Sequence, residues 1–197
     1  DPVWRRRAVV AMVIGTVGVA GAQTATFWLP NLVTAASQGR DDIPQRISYA
    51  TLLAHVGTLA GVIAVPWLCD RLGRKRTIFA FYLLTPFVVA AAISGGAEYS
   101  RILLTYPIVF FFAVGVSAAF VLYFPELFPT RMRATGAGIA YNVGRILSIP
   151  MPAITGWIAK EYSGSIVAGV LFSGAVYILG LLAIPFAPET KGQPLAE

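Results

Sequence analysis

The sequence predicts an all-α integral membrane protein with six transmembrane helices. Of its 197 residues, 57% are hydrophobic and 12% are charged, whereas soluble domains contain about 25% charged residues. The apolar residues form stretches of roughly 20, the length that crosses a hydrocarbon core of about 30 Å as a helix. They lack the alternation of polar and apolar residues that marks membrane β-barrels. We expect spans at 8–30, 47–69, 77–96, 102–124, 134–158 and 165–187.

The lysines and arginines between the spans predict the orientation. By the positive-inside rule, the side that carries more of them faces the cytoplasm. Ten collect on one side, namely Arg5, Arg6, Arg7, Arg71, Arg74, Lys75, Arg76, Arg131, Arg133 and Lys191. Four collect on the other, namely Arg40, Arg46, Arg101 and Lys160. Both termini are then cytoplasmic, which agrees with an even number of spans because that number places both termini on the same side. This topology accounts for the net charge of +6, so we expect no nucleic-acid partner.

The first two predicted spans combine small residues with a few polar ones. Glycines that let helices approach closely in lipid are Gly15, Gly18, Gly21, Gly57 and Gly61. Gln23 is a candidate to line a substrate route, and Thr24, Thr26 and Asn31 either line it too or bond back to their own helix. His55 is a candidate for proton coupling because its usual pKa is near neutrality. The alternative for His55 is a hydrogen bond to a neighbouring helix.

The connection before the third span reads D-R-L-G-R-K-R over residues 70–76. Gly73 permits a tight turn with positive φ. The order of residues resembles motif A of the major facilitator superfamily, whose Asp pairs with an Arg and a helix N-terminus and so latches the cytoplasmic gate. The resemblance implies a gating role for Asp70, Arg71, Gly73 and Arg74. Pro66 stands where the family usually has Gly, so the local helix packing must differ.

Two further segments fall on the same side of the predicted bilayer. Residues 125–136 resemble the P-E-[LI]-[FY]-P-x-x-x-R-[AG]-T-G loop of sugar-porter-like transporters and metabolite:proton symporters, and residues 188–192 match the P-E-T-K-G segment of sugar porters. The resemblance adds Glu126, Arg131, Arg133 and Glu189 to the gate, with ion pairs from Glu126 to Arg74 or from Glu189 to an Arg. The alternative is solvated surface charges, worth under about 1 kcal/mol each.

Arg145 is the one charged residue well inside a predicted span. It lies eleven residues past Ala134, about 16 Å deep in a regular helix, where a charge is costly and marks a functional position. Tyr141 and Asn142 share its helix face. A guanidinium forks onto a carboxylate, so Arg145, Tyr141 and Asn142 are candidates to bind an anionic substrate. The alternative is that Arg145 holds neighbouring carbonyls or a carboxylate in a missing half of the protein.

The order of the motifs is that of the second half of a major facilitator protein. Family members have twelve helices in two six-helix halves, so the resemblance implies that residues 1–197 are the C-terminal half and that an N-terminal half is missing. The start at Asp1 rather than Met fits an incomplete end. The alternative is a six-helix unit that works as a homodimer.

The resemblance also implies a function. The run 141–146 is similar to bacterial organic-acid and sialic-acid proton symporters, while 21–28 and 115–119 depart from the sugar-porter pattern. We therefore expect a proton-coupled importer of a small organic anion in the bacterial inner membrane. A porter of sugars or other neutral metabolites and a non-transporting receptor or scaffold are the alternatives. One Cys and one His leave no catalytic set and no metal cluster, so neither an enzyme nor a cofactor is expected.

Overall fold

The computed structural model describes residues 2–162 and 165–193, which are helical apart from their connections. Within these ranges the α-helices are α1 (Pro2–Ala36), α2 (Ile43–Leu72), α3 (Arg74–Ile93), α4 (Tyr99–Ala113), α5 (Ser117–Glu126), α6 (Arg133–Ser148), α7 (Met151–Glu161) and α8 (Ile166–Ala183). Two short 3₁₀ helices, Thr130–Met132 and Ile184–Phe186, precede α6 and follow α8.

Five segments of the described chain are long and apolar enough to cross a membrane. They are Pro2–Ala36, Ile43–Leu72, Arg74–Ile93, Tyr99–Glu126 and Ile166–Phe186. Five of the six predicted spans therefore coincide with helical segments that could cross a membrane, judged by length and composition. The span predicted at 134–158 is divided between α6, with 16 residues, and α7, with 11 residues. The prediction of six membrane-crossing helices therefore stays a prediction.

A proline explains why the predicted span 134–158 is not one continuous helix. Pro150 has no N–H to donate to Ile146, and its ring crowds the carbonyl four residues earlier. The Ile146 carbonyl instead accepts a hydrogen bond at 3.2 Å from the Ile149 N–H, three residues later, as in a 3₁₀ turn. A second interruption separates α4 from α5, where the N–H groups of Val114 and Gly115 both donate to the Phe110 carbonyl.

Helix α1 is the centre of the bundle, packing most extensively against α6 and α8. Two buried tyrosines hold this centre together. The Tyr82 hydroxyl of α3 donates to the Ile14 carbonyl at 2.6 Å, and the Tyr177 hydroxyl of α8 donates to the Ala113 carbonyl at 2.8 Å. Their rings meet edge to face at 5.2 Å. Four helices are thus connected through two phenol groups.

Helices α2 and α4 touch through their backbones. A Cβ built on Gly57 would lie 1.8 Å from the Pro107 carbonyl oxygen, and one on Gly61 would lie 2.8 Å from the Phe111 carbonyl oxygen. The G-x-x-x-G pair of α2 therefore lies in a helix–helix contact where only glycine fits.

The outer surface of the bundle is mostly apolar, as lipid requires. Large hydrophobic side chains are exposed on every long helix, among them Leu59, Ile63, Phe87, Leu104, Ile146 and Leu182. Polar groups collect instead at the ends. At the less basic end, hydrogen bonds from Arg40 and then from Arg46 lower the pKa of Asp42 to about 2.

Candidate functional site

A cleft of about 320 Å³ opens between α1, α6 and the turn that joins α4 to α5. Its lining combines small and aromatic side chains with a few polar groups. The lining residues are Gly18, Val19, Ala22, Gln23, Thr26, Val114, Ser117, Phe120, Tyr141 and Arg145. A concave site of this size, with few convergent polar groups, is typical of small-molecule binding.

Small residues of α6 determine which of its side chains reach the cleft. Gly136, Ala140, Gly144 and Ser148 repeat every four residues and are buried. A Cβ on Gly144 would lie 2.9 Å from the backbone of Gly15, so α6 packs closely against α1. Residues one position later in the sequence lie on the flank of this contact, which brings Tyr141 and Arg145 to the edge of the cleft.

The polar groups of the cleft come from two helices. The Gln23 side-chain oxygen lies 3.0 Å from the buried Ser148 hydroxyl, which also approaches the Arg145 carbonyl at 2.8 Å. The Arg145 guanidinium lies 5.8 Å from the centre of the Tyr141 ring and is exposed. Among the described residues, no carboxylate lies within ion-pair distance of Arg145. The cation is thus available to a ligand in the cleft.

The structure brings together three of the four residues predicted to bind substrate. Asn142 is the exception, since it is not among the residues that line the cleft and its amide donates to the Gly138 carbonyl at 2.8 Å. His55 also lies outside the lining, on the exposed side of α2, with Nδ1 2.8 Å from the Thr51 carbonyl. Its ring meets Phe110 edge to face at 5.4 Å.

The polar side chains in the C-terminal half of α1 mostly form hydrogen bonds with the backbone of their own helix. Thr24 and Thr26 donate to the carbonyls of Ala20 and Ala22, four residues earlier, at 2.7 and 2.9 Å. Asn31 does the same at 2.9 Å. Thr26 nevertheless lines the cleft, so back-bonding and lining occur together at that position.

A charge cluster at the basic end surrounds the side chain of Arg74. Its Nη2 and Nε approach the two carboxylate oxygens of Glu126 at 3.0 and 3.1 Å, forming a forked ion pair. Its Nη1 lies 3.0 Å from Asp70. Arg74 and Glu126 are mostly shielded from solvent, with 15% and 19% of their side-chain surface exposed, whereas Asp70 is 69% exposed. The Arg74–Glu126 contact is therefore the less screened of the two pairs.

Glu189 caps the first turn of α3. Its carboxylate accepts a hydrogen bond from the Arg74 N–H at 2.9 Å, where a helix N-terminus favours negative charge. Gly73 precedes this N–H with φ at +102°, and a Cβ there would lie 2.5 Å from the Glu189 carboxylate. The resemblance assigned the helix-terminus contact to the motif A Asp, but in this chain Asp70 pairs with Arg74 and Glu189 holds the helix terminus.

The remaining predicted gate residues lie around this cluster. Arg71 joins it through its backbone, because its carbonyl accepts from the Lys191 ammonium at 2.7 Å, while its guanidinium lies over the Trp67 ring. Arg133 donates to the Thr130 hydroxyl at 3.2 Å, and Arg131 is exposed. These two arginines are not part of the Arg74–Glu126 network.

One residue of the cleft and one residue of the charge cluster were not predicted from the sequence. Ser117 lines the cleft because the helix breaks before it, and a Gly-Val-Ser run after an apolar stretch gave only a weak signal of that break. Thr190 donates to Glu126 at 2.5 Å, which ties the C-terminal segment to the cluster. Thr190 lay within the P-E-T-K-G match, but the pattern alone does not say which carboxylate it contacts.

A bundle of long apolar helices with a cleft between them is an architecture that secondary transporters use. The family described as sugar (and other) transporter matches residues 96–197. The chain belongs to this family, which consists of transporters rather than enzymes, and the resemblance to sugar-porter-like members of the major facilitator superfamily is confirmed.

Relatives match over most of the chain. The niacin transporter of Acinetobacter baylyi is 29% identical over 169 residues, covering 85% of this chain and 37% of that protein. A protein described as "Probable 4-methylmuconolactone transporter" from Cupriavidus pinatubonensis is 26% identical over 195 residues, covering 96% and 44%. The cis,cis-muconate transport protein of A. baylyi is 32% identical over 146 residues, covering 71% and 33%. The chain thus spans about two fifths of the length of the first two relatives.

Proposed function

We propose that the protein carrying this chain is a secondary active transporter that moves a small organic anion by proton-coupled alternating access. The observation that carries the proposal is the Arg145 guanidinium at the edge of the cleft, beside Tyr141 and opposite Gln23. A guanidinium forks onto a carboxylate, and an amide orients the bound anion by hydrogen bonds. The names of the relatives, which include transporters of niacin and cis,cis-muconate, support an organic acid as the substrate.

In this proposal, the ligand's carboxylate binds Arg145 and its body packs against aromatic rings. Tyr141 and Phe120 are the two aromatic side chains that line the cleft. Gln23 is held by Ser148 with its amide nitrogen left to donate to the ligand. Asn142 is exposed outside the cleft lining, so it would meet the ligand only after its amide leaves the Gly138 carbonyl and turns toward the cleft.

We assign the charge cluster around Arg74 to the gate on the cytoplasmic side. The forked pair with Glu126, the pair with Asp70 and the cap by Glu189 connect α2, α3, α5 and the C-terminal segment at one end of the bundle. Such charge-assisted contacts are strong when formed and easily exchanged for water when opened. Arg71 and Gly73 shape the turn, and Arg131 and Arg133 lie beside it.

Proton coupling is assigned to His55 as part of the same proposal. Its position outside the cleft lining means that it would act on helix movement rather than on the bound anion. The full transporter would include an N-terminal half of similar architecture in a bacterial inner membrane, with both termini of this chain in the cytoplasm. The shorter length of the chain relative to its relatives supports the additional half.

The test is uptake by the full-length protein in proteoliposomes. Labelled niacin, cis,cis-muconate, benzoate, glucose and nicotinamide are supplied with and without an inward proton gradient. The proposal expects saturable, gradient-stimulated uptake of one or more of the acids and none of the neutral compounds. Uptake of glucose or nicotinamide in preference to the acids would favour a porter of neutral metabolites. No saturable uptake in correctly inserted protein would favour the receptor or scaffold alternative.

A further inference from the structure

A second groove lies on the outside of the bundle, between the first turns of α1 and the last turns of α8. Its volume is about 510 Å³, within the range of ligand sites. The residues that line it are Arg5, Arg6, Val9, Val10, Val13, Leu179, Leu182, Ala183 and Phe186. None of these described residues belongs to the central cleft or to the charge cluster around Arg74.

The groove has an apolar floor and a cationic mouth. Val9, Val13, Leu179 and Leu182 are all exposed, and Leu182 keeps 70% of its surface accessible. Arg5 and Arg6 stand one turn before this floor, and the Arg6 guanidinium lies 5.9 Å from the Phe186 ring. None of the lining residues that the structure describes is acidic. A ligand that fits both parts carries a negative group next to a long apolar chain.

The level of the two arginines in the membrane agrees with a headgroup. Trp4 directly precedes Arg5, with the Arg7 guanidinium 4.8 Å from the centre of its ring, and tryptophan prefers the membrane–water interface. Arginines at that depth attract anionic lipids of the adjacent leaflet. The floor below them offers almost no polar group, so it can satisfy an acyl chain but not the backbone N–H and C=O groups of an irregular polypeptide.

We propose that this groove binds an anionic phospholipid of the leaflet at the basic end, with Arg5 and Arg6 holding the phosphate and the α1–α8 floor holding an acyl chain. The fork of each guanidinium pairs with phosphate oxygens. The neighbouring Phe186 ring keeps Arg6 at the mouth, so little side-chain freedom is lost when the lipid binds. The lipid occupies a site on α1, the helix that also carries Gln23 of the central cleft.

The experiment is lipid binding by the full-length protein, measured by native mass spectrometry during titration with phosphatidylglycerol or phosphatidylcholine. Wild type is expected to retain phosphatidylglycerol more tightly than phosphatidylcholine. The double variant Arg5→Gln/Arg6→Gln should weaken phosphatidylglycerol binding about fivefold for each arginine removed. Leu182→Trp fills the floor without changing the charge and should also weaken it. The matched control Arg76→Gln/Arg131→Gln removes two cations at the same end and should retain the lipid.

Three results would overturn the proposal. Equal binding of both lipids would mean an unselective lipid annulus. Equal losses in the Arg5/Arg6 and Arg76/Arg131 variants would mean a general effect of surface charge. The third uses a photoreactive residue at position 182 in the native membrane. If it cross-links to another segment of the same protein rather than to lipid, the groove is an internal interface.

Discussion

Arg145 shows that the unfavourable burial of a charge in a membrane can point to a functional residue in the sequence. A cation in the middle of an apolar span is rare because removing it from water is unfavourable, so its presence predicted a functional cavity. The structure provides that cavity, with Tyr141 and Gln23 beside it. In our proposal, the guanidinium of Arg145 pairs with the carboxylate of the transported ligand.

Replacing Arg145 separates a forked anion site from a simple positive charge. Since hydrogen bonds to charged groups contribute about 1.5–3 kcal/mol, we expect Arg145→Ala to weaken binding of the transported acid about 10- to 100-fold. Arg145→Lys should recover only part of this loss, because an ammonium cannot form the fork. Isothermal titration calorimetry on the full-length protein measures both. Arg76→Ala, which removes an exposed cation outside the cleft, is the control. Equal affinities for Arg145→Ala and Arg145→Lys would contradict the anion site.

Two features restrict position 73 to glycine. They are its φ of +102° and the proximity of the Glu189 carboxylate. We expect Gly73→Ala to lower the free energy of unfolding by about 1–3 kcal/mol, because a side chain at that φ is strained and displaces the cap of α3. Thermal unfolding in detergent measures the change. The control is Gly138→Ala, in α6, where a Cβ would have no neighbour within 4 Å in the part of the chain that the structure describes, and the substitution favours the helix. Similar shifts for both variants would show that the turn tolerates a side chain.

At the scale of the helices, the length of the apolar stretches predicted where long helices lie. It did not predict where a helix is interrupted. Five spans could be located because about 20 consecutive apolar residues have few other uses. The break between α6 and α7 was not predicted, although Pro150 was visible, because prolines within membrane helices are often accommodated by bending. Whether the chain bends or breaks depends on which carbonyls neighbouring groups satisfy, and a single sequence does not contain that information.

The residues of the candidate site could also be predicted only in part. Gln23, Tyr141 and Arg145 could be predicted because polar groups within apolar spans are few, and the Arg74–Glu126 pair could be predicted from the resemblance. The position of Asn142 outside the cleft could not, because it depends on the rotation of α6 against α1, which the contact between Gly144 and Gly15 sets.

The contact between α2 and α4 is a direct test of packing at the scale of two helices. Gly57→Ala would place a methyl group against the Pro107 carbonyl, so α2 must move away from α4. We expect the free energy of unfolding to fall by about 1–3 kcal/mol, the usual cost of overpacking. Thermal unfolding of the detergent-solubilised protein is the measurement. Gly156→Ala in α7 is the control, since none of the described residues lies within 4 Å of a Cβ there. An unchanged unfolding temperature in Gly57→Ala would contradict the close contact.

At the scale of the whole molecule, the charge cluster joins parts of the chain that are far apart in sequence. Arg74 begins α3, Glu126 ends α5 and Glu189 follows the last helix. The Tyr123 hydroxyl adds a hydrogen bond of 2.6 Å to the Pro188 carbonyl, which fixes the C-terminal segment against α5. Opening this end of the bundle therefore requires several contacts to separate together, as a latch does.

Weakening the latch should shift the conformational equilibrium of the full-length protein. Asp70→Asn removes one carboxylate from Arg74, and we expect increased exposure of the cleft to the cytoplasmic side. The reporter is Ser117→Cys, which lines the cleft, in a background where the buried native thiol is removed by Cys69→Ala. Its labelling rate by a membrane-impermeant maleimide added from the cytoplasmic side should rise. The control, Asp41→Asn, removes an exposed acid at the opposite end. Equal labelling rates in wild type and Asp70→Asn would exclude a latch at Asp70.

The same cluster constrains how such proteins diverge. Glu126 and Glu189 lie inside the region that matches the family, whereas Arg74 lies outside it. A lineage that lost Glu126 would keep a shielded arginine facing only the exposed Asp70, and loss of that cation would then become favourable. Among relatives, we therefore expect positions 74 and 126 to change together, while positions 138 and 156, which have open space around them, vary independently.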